Sequence, residues 1–147
     1  MPRLLVVHHT PSPNLQAVLQ AVREGAAMVD DVELVVRPAL SAGPADLLGA
    51  DGVVLGTPAN IGYMSGALKH FFDTVYYPTL DAGRGTPYGL YVHGGDDVTG
   101  ALRSVEKVAT GLSWRRVAEP LLVTGPPDRA ALDACRELGG TLAATLL

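Results

Sequence analysis

The sequence predicts an α/β protein with a doubly wound, five-stranded parallel sheet that carries helices on both faces. Five short apolar segments alternate with five helical patterns, and the alternation covers residues 1–147. The apolar segments are continuous rather than broken at every second position, as in parallel strands buried on both sides. A chain of 147 residues can bury one such core without disulfides, so we expect a single domain.

The predicted strands are short runs rich in valine and leucine. They cover residues 4–9, 32–37, 52–56, 88–93 and 117–124, and the last has the least distinct ends. Strict alternation of strands and helices predicts right-handed crossovers between parallel neighbours.

Four of the five helical patterns repeat apolar residues every three or four positions, which indicates amphipathic helices packed on the sheet. The first runs through Leu15, Val18 and Val22, the third through Leu68, Phe71 and Val75, the fourth through Leu102, Val105 and Ala109, and the fifth through Leu132, Cys135 and Leu142. The second, over Pro44–Leu48, is short.

Composition excludes several classes of function. The formal net charge is −4 and no basic stripe is present, so a nucleic-acid partner is not expected. Cys135 is the only cysteine, which rules out an intramolecular disulfide and suits a reducing compartment. The apolar run before His8 and His9 is too short for a signal peptide or a membrane span. We therefore expect a cytoplasmic protein without a membrane partner, and the spacing of its histidines predicts no metal site.

Ligands of doubly wound sheets bind outside the carboxyl ends of the strands, so three loops are candidates for a site. They cover residues 10–14, 57–66 and 94–98. The first leads directly into an amphipathic helix, where the N–H groups of Thr10, Ser12, Asn14 and Leu15 provide an anion site without a lysine. The alternative is that Ser12 or Asn14 only caps the helix. Pro11 and Pro13 between these donors have no N–H.

The second segment, residues 56–73, is the most informative part of the sequence. We interpret its beginning as a loop of about eight residues that ends at Ser65, a helix N-cap. Ile61 and Tyr63 lie in this loop, where large apolar side chains have no core to enter. This arrangement predicts a flat, apolar ligand against the loop.

The same segment resembles a known family. Its motifs are Gly56-Thr57-Pro58, then Gly62-x-Met64-Ser65-Gly66, then Lys69-x-Phe71-x-Asp73. They resemble the flavin-binding segment of flavodoxin-like NAD(P)H:quinone oxidoreductases and FMN reductases, and the strand pattern extends this resemblance to the whole chain. The resemblance implies non-covalently bound FMN and a flavodoxin-like sheet of order 2-1-3-4-5. It also implies that the isoalloxazine ring lies along Pro58, Ala59, Asn60, Ile61 and Gly62.

The third loop follows the fourth predicted strand and contains His93, Gly94, Gly95 and Asp96. Two consecutive glycines allow the backbone to approach a ligand closely. In the resembled families the equivalent loop reaches the pyrimidine side of the flavin, which implies that its N–H groups face N1 and O2. The alternative is a glycine turn in which Asp96 or Asp97 caps the following helix.

Three functions remain open at this point. The resemblance favours an oxidoreductase that passes electrons from NAD(P)H to a quinone, a flavin or another acceptor, with no catalytic side chain required and with a homodimer as one expected assembly. The alternative is a non-enzymatic flavodoxin-type electron carrier that docks on partner proteins. A third hypothesis is a binding module that has lost its cofactor, which Pro11 and Pro13 in the first loop would favour.

Overall fold

The computed structural model describes all residues from 1 to 147. Its strands are β1 (Arg3–His8), β2 (Glu33–Pro38), β3 (Gly52–Asn60), β4 (Tyr63–Met64), β5 (Pro87–Gly94), β6 (Arg115–Arg116) and β7 (Leu121–Thr124). Its helices are α1 (Pro13–Ala27), α2 (Pro44–Leu48), α3 (Gly66–Thr79), α4 (Thr99–Gly111) and α5 (Arg129–Thr145). The predicted alternation of strands and helices is confirmed.

The parallel sheet has the order β2-β1-β3-β5, and β6 and β7 share the position on the far side of β5. Strand β1 pairs with β2 on one side and with β3 on the other. The predicted order 2-1-3-4-5 is therefore confirmed, with β5 as its fourth strand and β6 together with β7 as its fifth.

Alternate side chains of the central strands enter two separate cores. Leu4 and Val6 of β1 pack with apolar residues of α1 and α5 on one face. Leu5 and Val7 pack with apolar residues of α2, α3 and α4 on the other. All four side chains are completely buried, which explains why the strand is a continuous apolar run. No helix combines the length and apolar character that crossing a membrane requires.

The prediction of a simple loop over residues 57–66 was wrong. Strand β3 continues beyond Gly56 to Asn60 and forms an antiparallel hairpin with β4, in which Asn60 lies opposite Tyr63. Ile61 and Gly62 make the two-residue turn with φ angles of 49° and 73°. Positive φ at both turn residues matches the right-handed twist of the hairpin strands, so a tight hairpin forms where the sequence indicated only loop residues.

The prediction of one continuous strand over residues 117–124 was also wrong. Pairing with β5 begins at Arg115 and extends to Val117, whose N–H donates to the carbonyl of Tyr88 at 3.1 Å. It resumes only at Leu121. Pro120 lies in the interruption, and a proline has no N–H to contribute to the ladder.

Helices α1 and α5 lie in backbone contact on one face of the sheet. A Cβ atom on Gly139 of α5 would clash with the carbonyl oxygen of Val22 in α1. At the adjacent Gly140 the nearest atom to such a Cβ is the carbonyl oxygen of Gly25, at an ordinary 3.5 Å. Glycine is therefore required at position 139 for close packing, but not at position 140.

We predict opposite effects for alanine at these neighbouring positions. Gly139→Ala forces the helices apart and should lower the free energy of unfolding by about 1 to 3 kcal/mol. Gly140→Ala adds a better helix former without a clash and should raise the free energy of unfolding by about 0.5 to 1 kcal/mol. Urea denaturation of both variants and the unmodified chain measures the difference. Equal effects of the two substitutions would contradict the close contact.

Candidate functional site

The fold brings the three predicted loops to one edge of the sheet. The N–H of His9 donates to the carbonyl of Gly56 at 3.0 Å, which joins the first loop to β3. Pro58 and His93 are partners in the pairing of β3 with β5. A Cβ atom on Gly94 would lie 3.2 Å from that of Ala59, so the second and third loops are in contact. The candidate site is this shared edge.

The first loop presents amide groups at the beginning of α1. The Ser12 hydroxyl caps the helix by accepting from the N–H of Leu15 at 3.2 Å. The N–H groups of Thr10, Ser12 and Asn14 have no hydrogen-bond partner within the chain. Unpaired N–H groups at the positive end of a helix dipole favour an anion. Capping by Ser12 therefore leaves three of the four predicted donors available.

A histidine lies directly beneath this loop. The Nδ1 atom of His8 is 2.6 Å from the Thr10 hydroxyl. Burial lowers the pKa of His8 below its ordinary value, and the nearby Arg23 and His9 lower it further. The imidazole of His8 is therefore neutral around pH 7, and it holds the Thr10 side chain rather than providing positive charge.

We predict that His8 makes the folded state sensitive to acid. The pKa of His8 is about 6.5 in the unfolded chain and lower in the folded one. At a pH between these two values, protons bind the unfolded state more than the folded state and so favour unfolding. The contribution of neutral His8 to stability is therefore fully present above about pH 6.5 and is lost as the pH falls toward the folded-state pKa. The variant His8→Asn places an amide near the position of Nδ1. Between about pH 7.5 and about pH 5.5, its free energy of unfolding should decline less than that of the unmodified protein. Equal declines in urea denaturation would reject this role.

The second loop is a hairpin held at its base by buried hydroxyl groups. The Thr57 hydroxyl accepts from the N–H of Ser65 at 2.9 Å. The Ser65 hydroxyl accepts from the N–H of Leu68 at 3.2 Å, which confirms the predicted cap of α3. On the other side, the Ser104 hydroxyl of α4 accepts from the N–H of Met64 at 3.1 Å. These bonds fix the position of the hairpin on α3 and α4.

The tip of the hairpin is apolar and strained. The Ile61 side chain is fully exposed, and Tyr63 is 44% exposed. A β-branched residue with a φ of 49° crowds its own backbone, at a cost of about 1 to 2 kcal/mol. Strained residues persist where the surrounding structure fixes them, and they cluster at binding sites. A Cβ atom on Gly100 of α4 would clash with the carbonyl of Gly62, so the turn rests directly on that helix.

We predict that Ile61→Asn stabilises the protein in the absence of any ligand. Asparagine tolerates positive φ and favours the observed turn before a glycine, so the free energy of unfolding should rise by about 1 kcal/mol. Tyr63→Asn is the control, because it removes a neighbouring exposed side chain without changing a turn residue. If Ile61→Asn leaves the urea midpoint unchanged or lowers it, the turn does not store this strain.

The third loop is supported from β7 and leaves its tip open. The Nε2 atom of His93 lies 2.8 Å from the carbonyl oxygen of Gly125, and the N–H of Gly125 donates to the carbonyl of Gly94 at 2.9 Å. The N–H groups of Gly95 and Asp96 have no partner within the chain. A Cβ atom on Gly95 would have no neighbour within 4 Å, so space is open above this glycine.

The two aspartates of the third loop have different roles. The Asp97 carboxylate accepts from the N–H of Thr99 at 2.9 Å, and this bond lowers the pKa of Asp97. The alternative that Asp96 or Asp97 caps the fourth helix was wrong as stated, because Val98 is the N-cap residue of α4 and no side chain caps it; Asp97, one position earlier, bonds only to the N–H of Thr99. The Asp96 carboxylate accepts from the N–H of Asp97 and stays exposed at the candidate site.

A cavity of about 290 Å³ opens beside the first loop. Its walls come from the ends of β1 and β2 and the first turns of α1 and α3, namely His8, His9, Thr10, Gln16, Pro38, Ala39, Leu40 and Ala67. The loop after β2 was not among the sequence candidates, because residues 38–40 carry no motif. The sequence analysis also missed two residues that hold the loops in place. Ser104 accepts from Met64 of the hairpin, and the carbonyl oxygen of Gly125 lies against His93 of the third loop. The only sequence signal was for Ser104, a polar residue on the apolar face of a predicted helix.

Comparisons with known proteins place this arrangement among flavodoxin-like structures. No protein-family model matches the sequence. A flavodoxin from Aquifex aeolicus (strain VF5) is 35% identical over 75 residues, which are 51% of this chain and 40% of the relative. The match thus covers about two-fifths of the length of that curated relative.

Solved structures agree with this chain over nearly its entire length. A flavodoxin from the domain Archaea superposes with a TM-score of 0.83 at 18% identity, covering 98% of both chains. A WrbA-like flavodoxin from Agrobacterium tumefaciens gives 0.79 at 19% identity, covering 99% of this chain and 96% of the other. The apo form of an NADH:FMN oxidoreductase gives 0.81 at 14% identity, covering 100% and 91%. These likenesses establish the flavodoxin-like fold.

Proposed function

We propose that this chain, which has a flavodoxin-like fold, binds FMN non-covalently and passes electrons from NAD(P)H to a quinone, a flavin or another acceptor. One observation carries the proposal: unpaired amides, an exposed apolar hairpin and an open glycine loop meet at a single sheet edge. Each of the three suits a different part of a flavin mononucleotide. The solved relatives include flavodoxins and an NADH:FMN oxidoreductase, which supports this cofactor.

The beginning of α1 suits the terminal phosphate. The amides of Thr10, Ser12 and Asn14 are unpaired, and the helix dipole adds to their attraction for an anion. The neutral His8 holds the Thr10 side chain. Pro11 and Pro13 remove two amides from the loop, but they leave these three.

The hairpin and the glycine loop suit the two sides of the ring. One wall of the proposed flavin site consists of Pro58, Ala59, Asn60, Ile61 and Gly62. An apolar ring against this wall would cover part of the exposed Ile61 side chain. On the other wall, the open space above Gly95 lets the backbone approach, so the amides of Gly95 and Asp96 can donate to acceptor atoms on a ring edge. Neither wall contains a side chain that must act as an acid or a base.

FMN supplies the hydride and electron chemistry, and the protein contributes binding, orientation and exclusion of water. With FMN bound, the apolar hairpin would exclude water from the ring, while the amides of the third loop would be free to donate to its acceptor atoms. The exposed Asp96 carboxylate would oppose the accumulation of negative charge on a flavin bound beside it, and only weakly because solvent screens the carboxylate. A nicotinamide would stack beside Ile61 and Tyr63, or across the contact of a homodimer.

A non-enzymatic electron carrier is the second candidate, favoured by the exposed Ile61 and Tyr63. Carriers dock on partner proteins through apolar groups at the rim of the cofactor, and these two side chains provide such a rim. Steady-state oxidation of NADH or NADPH with a quinone as acceptor separates the candidates, because a carrier shows no turnover without a reductase. The cytoplasmic location and the homodimer stay predictions.

We predict that the apoprotein binds FMN in a one-to-one complex and that Gly95→Ala weakens the complex. The added methyl group meets nothing in the ligand-free protein, but it occupies space where a flavin edge would approach, and overpacking of this kind costs about tenfold in affinity. Quenching of flavin fluorescence measures binding, and thermal melting checks the ligand-free fold.

Gly43→Ala is the matched control, because a Cβ atom there also meets nothing within 4 Å and the position, at the start of α2, belongs to none of the three loops. Failure of the unmodified apoprotein to quench FMN would reject the cofactor. Equal FMN affinity of Gly95→Ala and the unmodified chain would reject the position of the ring, but not the cofactor.

A further inference from the structure

We propose that β2 is an interface between two copies of this chain, which pair antiparallel along it and join their sheets into one. Strand β2 is an outer strand that pairs with β1 on one side and with no strand on the other, its open side. The inference goes beyond the proposed function and does not depend on the cofactor. It rests on the backbone of β2, on the charges near its two ends and on the side chains around it.

The open side of β2 carries backbone groups at alternate positions. The N–H of Glu33 donates to the carbonyl of Pro2 at 2.8 Å, and just beyond the other end the N–H of Ala39 also donates to β1, at 2.7 Å. In a parallel ladder every second residue of a strand bonds to the same neighbour, so the odd-numbered residues of β2 face β1. Leu34 and Val36 therefore direct their N–H and C=O groups to the open side, where a further strand can pair with them.

One antiparallel register pairs these open groups and also matches the charges of β2. Leu34 then lies opposite Val36 of the second copy, and each such pair exchanges two hydrogen bonds. Val35 of the two copies meets at the two-fold axis, and Glu33 lies directly opposite Arg37 of the second copy. Both are non-hydrogen-bonded pairs, in which opposite side chains approach most closely. The sequence of β2 is thus complementary to itself, with a carboxylate and a guanidinium facing each other at both ends of the ladder.

The two charged side chains are available for these contacts. Both are nearly half exposed, although Glu33 also pairs with Arg3 at 3.1 Å and Arg37 with Asp46 at 3.7 Å. The guanidinium of Arg37 donates to the carbonyl of Val36 at 3.3 Å, and that carbonyl is one of the open groups of β2. Arg37 is therefore already positioned beside the open side of the strand, where a carboxylate of the second copy would meet it.

Apolar side chains surround the open strand. Leu34, Val35 and Val36 are only partly buried, whereas residues 4–7 of the neighbouring β1 are completely buried. Three large apolar side chains in the segments before and after β2 are more than half exposed, namely Met28, Leu40 and Leu48. Pairing of two copies would cover the partly exposed side chains of β2 on both faces of the sheet, which favours association.

The outer strand on the opposite side of the sheet does not have this pattern. There β6 has 2 residues, both arginines, and β7 has 4 uncharged residues. Antiparallel pairing of β7 with itself would bring no opposite charges together. Strand β2 has 6 residues without interruption and is therefore the strand that suits a second copy. Because one pairing uses the open side of β2 in both copies, the assembly closes at two chains.

Analytical ultracentrifugation over a concentration series tests for the dimer and its register. We expect the unmodified apoprotein to approach twice the chain mass of 15.3 kDa at several hundred micromolar. Glu33→Arg and Arg37→Glu each place like charges opposite one another at both ends of the ladder, so each alone should raise the dissociation constant at least about fivefold. An equimolar mixture of the two variants should dimerise again, because one chain then has two positive residues at these positions and the other has two negative ones.

A proline on the open side tests the backbone contact. Val36→Pro removes an open N–H without touching the ladder to β1, and it should weaken the dimer at least about tenfold. Leu122→Pro in β7 is the matched control. The N–H of Gly125 donates to the carbonyl of Gly94 in β5, so by the same alternation the N–H of Leu122 points away from the sheet. This control should leave dimerisation unchanged, and thermal melting checks that both variants are folded.

Hydrogen exchange of the unmodified chain gives a measurement that does not depend on any variant. The amides of Leu34 and Val36 should exchange more slowly as the concentration rises, whereas those of Leu122 and Thr124 should not change. A chain that stays monomeric at several hundred micromolar would overturn the inference. A dimer in which Leu34 and Val36 stay unprotected, or one that folded Val36→Pro does not weaken, would overturn it as well, and so would a mixture of the two charge variants that stays monomeric.

Discussion

Burial of the central strands on both faces is the constraint on which the rest of the structure depends. Leu4 to Val7 are completely buried, with successive side chains entering opposite cores. Helices must therefore cover both sides of the sheet, and polar side chains are excluded from the middle of these strands. Polar side chains that could bind a ligand therefore lie at the strand ends, where β1, β3 and β5 stop at different residues and the chain turns toward solvent.

The same constraint explains which parts of the structure could be predicted from the sequence. The alternation of strands and helices and the Ser65 cap follow from patterns of apolar and capping residues, and both were found. The strand order was predicted only from the resemblance to a known family, and it was found as well. The hairpin turn at Ile61 was missed because a β-branched residue at positive φ contradicts local preference. The division of the fifth strand depends on Pro120, whose effect on a ladder is evident only once its partner strand is known. Tertiary contacts decided both features.

At the candidate site, local stability and ligand recognition favour different residues. Ile61 is strained in the turn and His9 holds an unpaired nitrogen, yet both lie at the edge formed by the three loops. Sites often retain such locally unfavourable features, because the residues are suited to a ligand rather than to the ligand-free fold. Ser12 is the opposite case. Its hydroxyl caps α1 and leaves the surrounding amides unpaired, so capping and anion binding do not compete there.

The divided fifth strand has a consequence for the behaviour of the protein at high concentration. An outer strand presents unpaired N–H and C=O groups that can recruit the same strand of another molecule and begin ordered aggregation. Here the uninterrupted outer segment is only β7, of 4 residues, and it follows Pro120 and the charged pair Arg115 and Arg116. A strand this short, flanked by a proline and two positive charges, resists pairing with the same strand of another molecule. Concentrated solutions should therefore stay free of fibrils that start at this edge.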